Sequence, residues 1–211
     1  MSKVLVTGGL GFIGAHLVNN LIKKKHKVLI VDNQSTIGGI IYRNPKCKFL
    51  NGNIINPSVI KKIKNWKPQI IYHLAAQSGG ESAYLDEKND FLSNGFGTLN
   101  LCNLAKELKI KHFIYTSSVA VYGSNPNKKI NEKSPINPDS IYGVSKFAGE
   151  MFVKQVLKNS KIKTTILRIF NTYGPRMKIN DGRVLPTFIK QASQNLDITV
   201  NGDGNQTRSF C

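Results

Sequence analysis

The chain is poor in cysteine, in acidic residues and in long apolar runs, and each shortage excludes something. Its three cysteines in 211 residues, Cys47, Cys102 and Cys211, are widely spaced and form no CxxC pair. A disulfide scaffold and a structural zinc site are therefore not expected, and a reducing, cytoplasmic setting is. No run approaches the roughly 18 consecutive apolar residues of a spanning helix, and the opening MSKVLVTGG enters glycines too early for an export signal. No membrane partner is expected. Twelve acidic against 30 basic residues leave a formal net charge of +18, which would attract polyanions. The excess is nearly all lysine, scattered singly or in short runs such as Lys23-Lys24-Lys25 and Lys61-Lys62, without interleaved aromatics or an arginine stripe. Nucleic acid is therefore not an expected partner. The plain reading is a lysine-rich surface, and the alternative is an electropositive surface that recruits anionic cofactors or substrates.

What is present is a globular balance, 40% hydrophobic and 20% charged, arranged in alternation. β-Branched apolar runs at Lys3 to Thr7, Lys27 to Val31, Lys48 to Leu50, Gln69 to Leu74, His112 to Thr116 and Thr164 to Ile169 read as buried strands. Helix-period stretches lie between them at Phe12 to Lys24, Pro57 to Trp66 with Asn56 as N-cap, Asp90 to Leu108, Ile141 to Leu157 and Val184 to Asn195. The pattern predicts an α/β fold built on a doubly wound parallel sheet, with ligands outside the carboxyl ends of the strands. Leu196 to Val200 reads as a further strand. Gln206 to Cys211 then restarts an extended pattern and stops on apolar residues, so a fragment is expected.

Two constellations carry chemistry. Thr7-Gly8-Gly9-Leu10-Gly11-Phe12-Ile13-Gly14 joins the first strand to the first helix, where glycines let a pyrophosphate approach backbone N–H groups at the helix N-terminus. Asp32 ends the second strand; its carboxylate suits a ribose diol and repels a 2′-phosphate, which favours NAD over NADP. The second constellation is Tyr142-Gly143-Val144-Ser145-Lys146. Its i, i+4 spacing sets a lysine beside a tyrosine, where the ammonium together with a cationic nicotinamide would depress the phenol and make it a general base for an alcohol. Ser118, at the end of the fifth strand after Ser117, can hold the oxygen that loses its proton. His73 reads as a packing residue, and no metal is expected.

With TGGLGFIG at 7 to 14, DNQST at 32 to 36, HLAAQ at 73 to 77, NGFGTLNL at 94 to 101, TSSVAVYG at 116 to 123, SIYGVSKFAGE at 140 to 150 and RIFNTYGPRM at 168 to 177, the chain resembles the extended short-chain dehydrogenase/reductase family. Within it, the nearest likeness is to the NAD-dependent nucleotide-sugar epimerases and dehydratases of the UDP-glucose 4-epimerase type. The resemblance implies a Rossmann-type fold and a catalytic set of Ser118, Tyr142 and Lys146. It implies an NAD site formed by Gly8, Gly11, Phe12, Ile13, Gly14, Asp32, Asn33, Asn53, Ile54, Leu74, Ala75, Ala76, Asn94 and Ser117 together with Tyr142 and Lys146. Ser118, Asn171 and Arg208 would contact a nucleotide-sugar substrate. Residues 1–176 would be the cofactor domain and 177–211 the beginning of a substrate-binding region, the family's small C-terminal domain being largely missing. The helices at 90–108 and 141–157 would form a homodimer interface.

Departures narrow the expected reaction. Asn53 stands where the family often has an aspartate. Val119 and Ala120 replace the carboxyl residues that follow the catalytic Ser/Thr in the dehydratases and decarboxylases, although 168–184 is similar to the decarboxylases. Gln77 to Ser82 is similar to the epimerases, with Glu81 either facing the sugar or on the surface. The expected activity is epimerisation through a 4-keto sugar. The alternatives are a reductase or decarboxylase on the same scaffold, or a non-catalytic NAD-binding module.

Overall fold

The computed structural model describes residues 1–35, 43–77, 86–124, 129–179 and 182–211. Six strands, β1 (Lys3–Thr7), β2 (Lys27–Asp32), β3 (Lys48–Asn51), β4 (Ile70–His73), β5 (His112–Ser118) and β6 (Lys163–Ile169), pair in parallel in the order β3-β2-β1-β4-β5-β6. The doubly wound α/β sheet is as the alternation predicts, with strand bounds shifted by at most two residues. Because the order reverses between β1 and β4, the chain leaves these neighbours in opposite directions and opens a crevice at their carboxyl ends.

The helices are α1 (Phe12–Lys23), α2 (Pro57–Trp66), α3 (Glu87–Phe91), α4 (Gly97–Leu108), α5 (Ile141–Val156) and α6 (Val184–Ser193). The crossover rule sends α1 to one face of the sheet and α2, α4 and α5 to the other. The two apolar clusters follow this division. Val18 and Leu21 of α1 pack with Val4, Val6, Val28 and Ile30, whereas Val59, Ile63, Leu101, Leu104 and Val153 pack with Leu5, Leu29, Ile71 and Phe113 on the opposite face.

Two local expectations need correction. The helix expected from Asp90 starts earlier, because Asp86 caps α3 by accepting the Asn89 N–H at 3.0 Å. Its middle is a π-helical turn, Leu92–Phe96, which turns Asn94 into the interior; an apolar period of 3.6 does not register one widened turn. Asn56 sits at the N-cap of α2 but makes no side-chain cap bond. Leu196 to Val200 forms no strand: no neighbouring strand pairs with it, and Thr199 instead bonds the side chain of Gln191. The extended pattern at 206–211 is partly realised, since Phe210 makes a parallel bridge to Asn171, just past β6.

Candidate active site

The strands deliver their ends into a cleft of about 1040 Å³ that runs from β2 across the switch point to β6. Its cofactor half begins at the glycine turn. Gly8 has φ +69°, and a Cβ there would stand 2.6 Å from the Ala75 nitrogen. A Cβ on Gly14 would overlap the Gly8 carbonyl oxygen and lie 2.8 Å from Gly9 Cα. No side chain caps α1, whose first intrahelical N–H bond is made by Ala15 to Gly11. The N–H groups of the first turn are thus available to an anion, with the positive end of the helix dipole behind them.

Asp32 closes this turn from the neighbouring strand. Its two carboxylate oxygens accept the Leu10 N–H at 3.0 Å and the Gln34 N–H at 2.9 Å. Each oxygen keeps acceptor capacity for a ribose hydroxyl. Asn33, Asn53, Ile54, Leu74, Ala75 and Ala76 line the same half. The crowded, side-chain-free turn, the free helix start and the carboxylate at the end of β2 together fit a dinucleotide with an unphosphorylated ribose.

The catalytic half is assembled by α5. Ser140 starts this helix by accepting the Gly143 N–H at 3.1 Å, and a Cβ on Gly143 would stand 2.5 Å from the Ala120 carbonyl. That close approach lays the first turns of α5 against the end of β5. Tyr142 and Ser118 line the cleft together here. Lys146 is fully buried, with its ammonium over the Tyr115 ring at 4.7 Å from the centroid. Burial pulls its pKa down to about 7, against the charges of Asp90 and Glu150. Burial raises the Tyr142 phenol and the Asp90 charge adds to that rise, while the Ser118 hydroxyl and the Arg183 charge oppose it.

Two of these groups, Arg183 and Asp90, were not legible as site residues. Arg183 occupies the N-cap of α6, which brings it to the cleft wall. Asp90 is wholly buried; its Oδ1 accepts from Ser145 Oγ at 3.1 Å and from Asn94 Nδ2, and its Oδ2 has no partner. Its spacing of four before Asn94 was the available signal. Asn94 itself does not line the cleft. It grips the backbone of Gln77, accepting the N–H at 2.9 Å and donating to the carbonyl at 3.2 Å, and so holds in place the segment after β4 that does line it. Glu81 lies outside the described residues.

His73 is a packing residue, as its place at a strand end suggests. Thr98 spends its proton on the Asn94 carbonyl at 2.6 Å and so accepts from His73 Nε2, while Nδ1 accepts from Thr7 at 2.8 Å. Burial and the Lys146 charge push the imidazole down to about 3. The unfolded chain's imidazole binds a proton near pH 6.5 and the folded one does not. Stability is therefore expected to fall by ~1.4 kcal/mol per unit as pH drops below 6.5 toward 3. Denaturant unfolding across that window should show the slope, and His73→Asn should remove it.

The carboxylate of Glu150, on α5, takes a bidentate pair from Arg168 at 2.7 and 2.8 Å, and Arg168 also donates to the Tyr122 hydroxyl at 2.7 Å. Glu150 is completely buried, which pushes its carboxyl up, but Arg168 more than offsets that and holds it low. Arg168→Met leaves this buried carboxylate with Lys154, 3.7 Å away, and is expected to cost about 3 kcal/mol, read as a lowered denaturation midpoint. The loss should be largest at high pH, shrink as the poorly compensated carboxyl takes up a proton above its ordinary range, and shrink further below about pH 4.5, where the wild-type pair loses its stabilising share.

At the far end of the cleft the returning tail places the substrate-side residues. The Cys211 N–H donates to the Asn171 carbonyl at 3.0 Å, and Asn171 Nδ2 donates to the Ser209 carbonyl at 3.1 Å. Arg208 is thereby set on the cleft wall with Asn171. Among the residues singled out from sequence, Asn94 alone stays off the wall. Asp32 is the only carboxylate among the described residues that line it, and no cluster of metal-ligating side chains occurs among the described residues.

A model of the NAD dependent epimerase/dehydratase family matches residues 4–211. The chain is 34% identical over 217 residues to UDP-glucuronic acid decarboxylase 1 of Arabidopsis thaliana, covering 99% of this chain and 48% of that protein. It superposes with a TM-score of 0.91 and 30% identity on the UDP-glucose 4-epimerase of Thermotoga maritima solved with UDP-glucose, covering 99% of this chain and 68% of that one. A UDP-glucuronic acid 4-epimerase from Bacillus cereus, solved with UDP-glucuronic acid and NAD, gives a TM-score of 0.85 at 32% identity, covering 99% and 68%. The chain thus spans about half the length of the plant decarboxylase and about two thirds of the solved epimerases.

Proposed function

The chain belongs to the NAD-dependent epimerase/dehydratase family, and from that premise we propose that it epimerises a nucleotide-sugar through a 4-keto intermediate. Bound NAD supplies a hydride acceptor that is regenerated within each turnover. Tyr142 removes the proton of the sugar C4 hydroxyl, and Ser118, on the same cleft wall, holds the same oxygen. Once the keto sugar has turned its other face, Tyr142 returns the proton. Ser118 and Arg183 both oppose the burial that raises the phenol. Lys146, poised at about 7, stands over the neighbouring Tyr115 ring. Arg208 and Asn171 take the diphosphate end, where a guanidinium forms paired bonds to phosphate oxygens. On this reading residues 1–176 hold the cofactor and 177–211 begin the sugar-nucleotide region.

The observation that carries epimerisation over dehydration or decarboxylation is the neutral wall beside Ser118. Val119 lines the cleft and Ala120 follows it, while Asp32 lies at the cofactor end. No described carboxyl group stands ready to move a proton at C5 or C6. The test is product analysis with UDP-glucose and UDP-glucuronate in the presence of NAD. The 4-epimers without net NADH are expected; release of CO₂ would favour the decarboxylase.

The same reading includes a homodimer in the cytoplasm. Phe91 and Phe96 at the π-helical turn, with Ile141, Val144 and Met151 on α5, are exposed apolar side chains on elements that pack against one another, and a second copy would cover them. Light scattering at twice the monomer mass is the expected result.

A further inference from the structure

In a parallel α/β sheet every strand begins, and every crossover helix ends, at the same edge of the fold. Lysines that are scattered along the sequence therefore collect in space. Reading across the sheet, β3 starts at Lys48, β2 at Lys27, β1 at Lys3 and β6 at Lys163, and Lys111 immediately precedes β5. At ~4.8 Å per strand this row extends about 24 Å. On either side of it stand the helix ends, with Lys23, Lys24 and Lys25 after α1, and Lys67, Lys109 and Lys158 after α2, α4 and α5. All of these except Lys3, which is half-buried, are exposed. The segments that join these helix ends to the strand starts hold no carboxylate, and Glu107, in the last turn of α4, is paired with Lys64.

Complementing helix dipoles accounts for cations in the last helical turns. It does not account for the row at the strand starts, which meets no helix terminus of its own. Three of the five arginines lie toward the site, Arg168 toward the carboxyl end of β6 and Arg183 and Arg208 on the cleft wall, while Arg43, ahead of β3, stacks over Phe49. Guanidinium groups, which bind phosphate with paired bonds, thus stand at the site, while flexible point charges cover the opposite end. Among the described residues that end offers no exposed aromatic side chain for base stacking, Trp66 there being half-buried beneath Lys3. Its charges spread over two dimensions, whereas a backbone-tracking site is a groove.

We propose that this amino-terminal edge of the sheet docks electrostatically on an anionic lipid bilayer, with the substrate cleft facing away from the membrane. Nothing apolar inserts, so attachment is reversible and sensitive to salt. The proposal does not depend on the reaction assigned above.

The test is co-sedimentation of the chain with vesicles of equal parts phosphatidylglycerol and phosphatidylcholine, and with pure phosphatidylcholine. Binding is expected to the first and not to the second at low salt, and to weaken by about a hundredfold when Lys24, Lys27, Lys111, Lys158 and Lys161 are all changed to Gln. A control with Lys61, Lys62, Lys88, Lys129 and Lys133 changed to Gln has the same net charge and should keep most of the affinity. Circular dichroism verifies that both variants fold, and single Lys→Glu changes at Lys24 and Lys161 serve if either does not. Equal loss in both sets, equal binding to uncharged vesicles, or no binding at low salt overturns the proposal. So does displacement from the vesicles by a DNA duplex at equal phosphate, which would assign the face to nucleic acid.

Discussion

Tyr142→Phe is expected to lower turnover by about a thousandfold, within the range that a positioned general base contributes, without lowering the thermal midpoint. The substitution leaves the ring in place and removes one hydroxyl, on the wall that Ser118 also lines. Burial already holds this phenol above its ordinary range, and the groups that bring it down are the Ser118 hydroxyl and the Arg183 cation. The rate should rise with pH until the phenol is ionised in the complex. Full activity in the phenylalanine variant would remove Tyr142 from the mechanism.

The second large effect is expected at Gly14. Alanine there drives a methyl group into the Gly8 carbonyl and against Gly9 Cα, which lies 2.8 Å from the added atom. Both contacts are backbone, so neither can move aside as a side-chain tip would, and α1 must shift away from the end of β1. The cost is put at about 2–3 kcal/mol of stability, in the range of overpacked cores. Displaced with the helix are the free N–H groups of its first turn, so NAD binding by titration calorimetry should be lost. An NAD affinity unchanged in Gly14→Ala would contradict the placement of the pyrophosphate at this turn.

The fold was legible because its signals are local and repeated. Strand and helix bounds follow the change of apolar period from two to 3.6, and α1 and α2 begin where the glycine turn and Pro57 place them. The cleft was legible for a related reason. Parallel strands deliver their carboxyl ends to one edge, so Gly8, Asp32, Ser118 and Tyr142 converge there without any long-range information. What escaped depends on packing between distant elements. The π-helical turn that rotates Asn94 off the cleft wall, the burial of Asp90 beside Ser145, and the approach of Arg183 to Tyr142 are set by how α3, α5 and α6 meet. The strand expected at Leu196 to Val200 failed because an apolar, β-branched run specifies a strand only where another strand accepts its backbone bonds. Scattered lysines looked like surface composition until the topology brought them to one edge.

The central claim is that hydrogen leaves and returns to the same sugar carbon under the control of Tyr142. The most direct measurement is to incubate the protein and NAD with UDP-glucose carrying deuterium at C4 and to locate the label in the product by NMR. Formation of the 4-epimer with deuterium retained at C4, and no lasting NADH, is the predicted result. Label lost to solvent, or NADH accumulating as product forms, would contradict it.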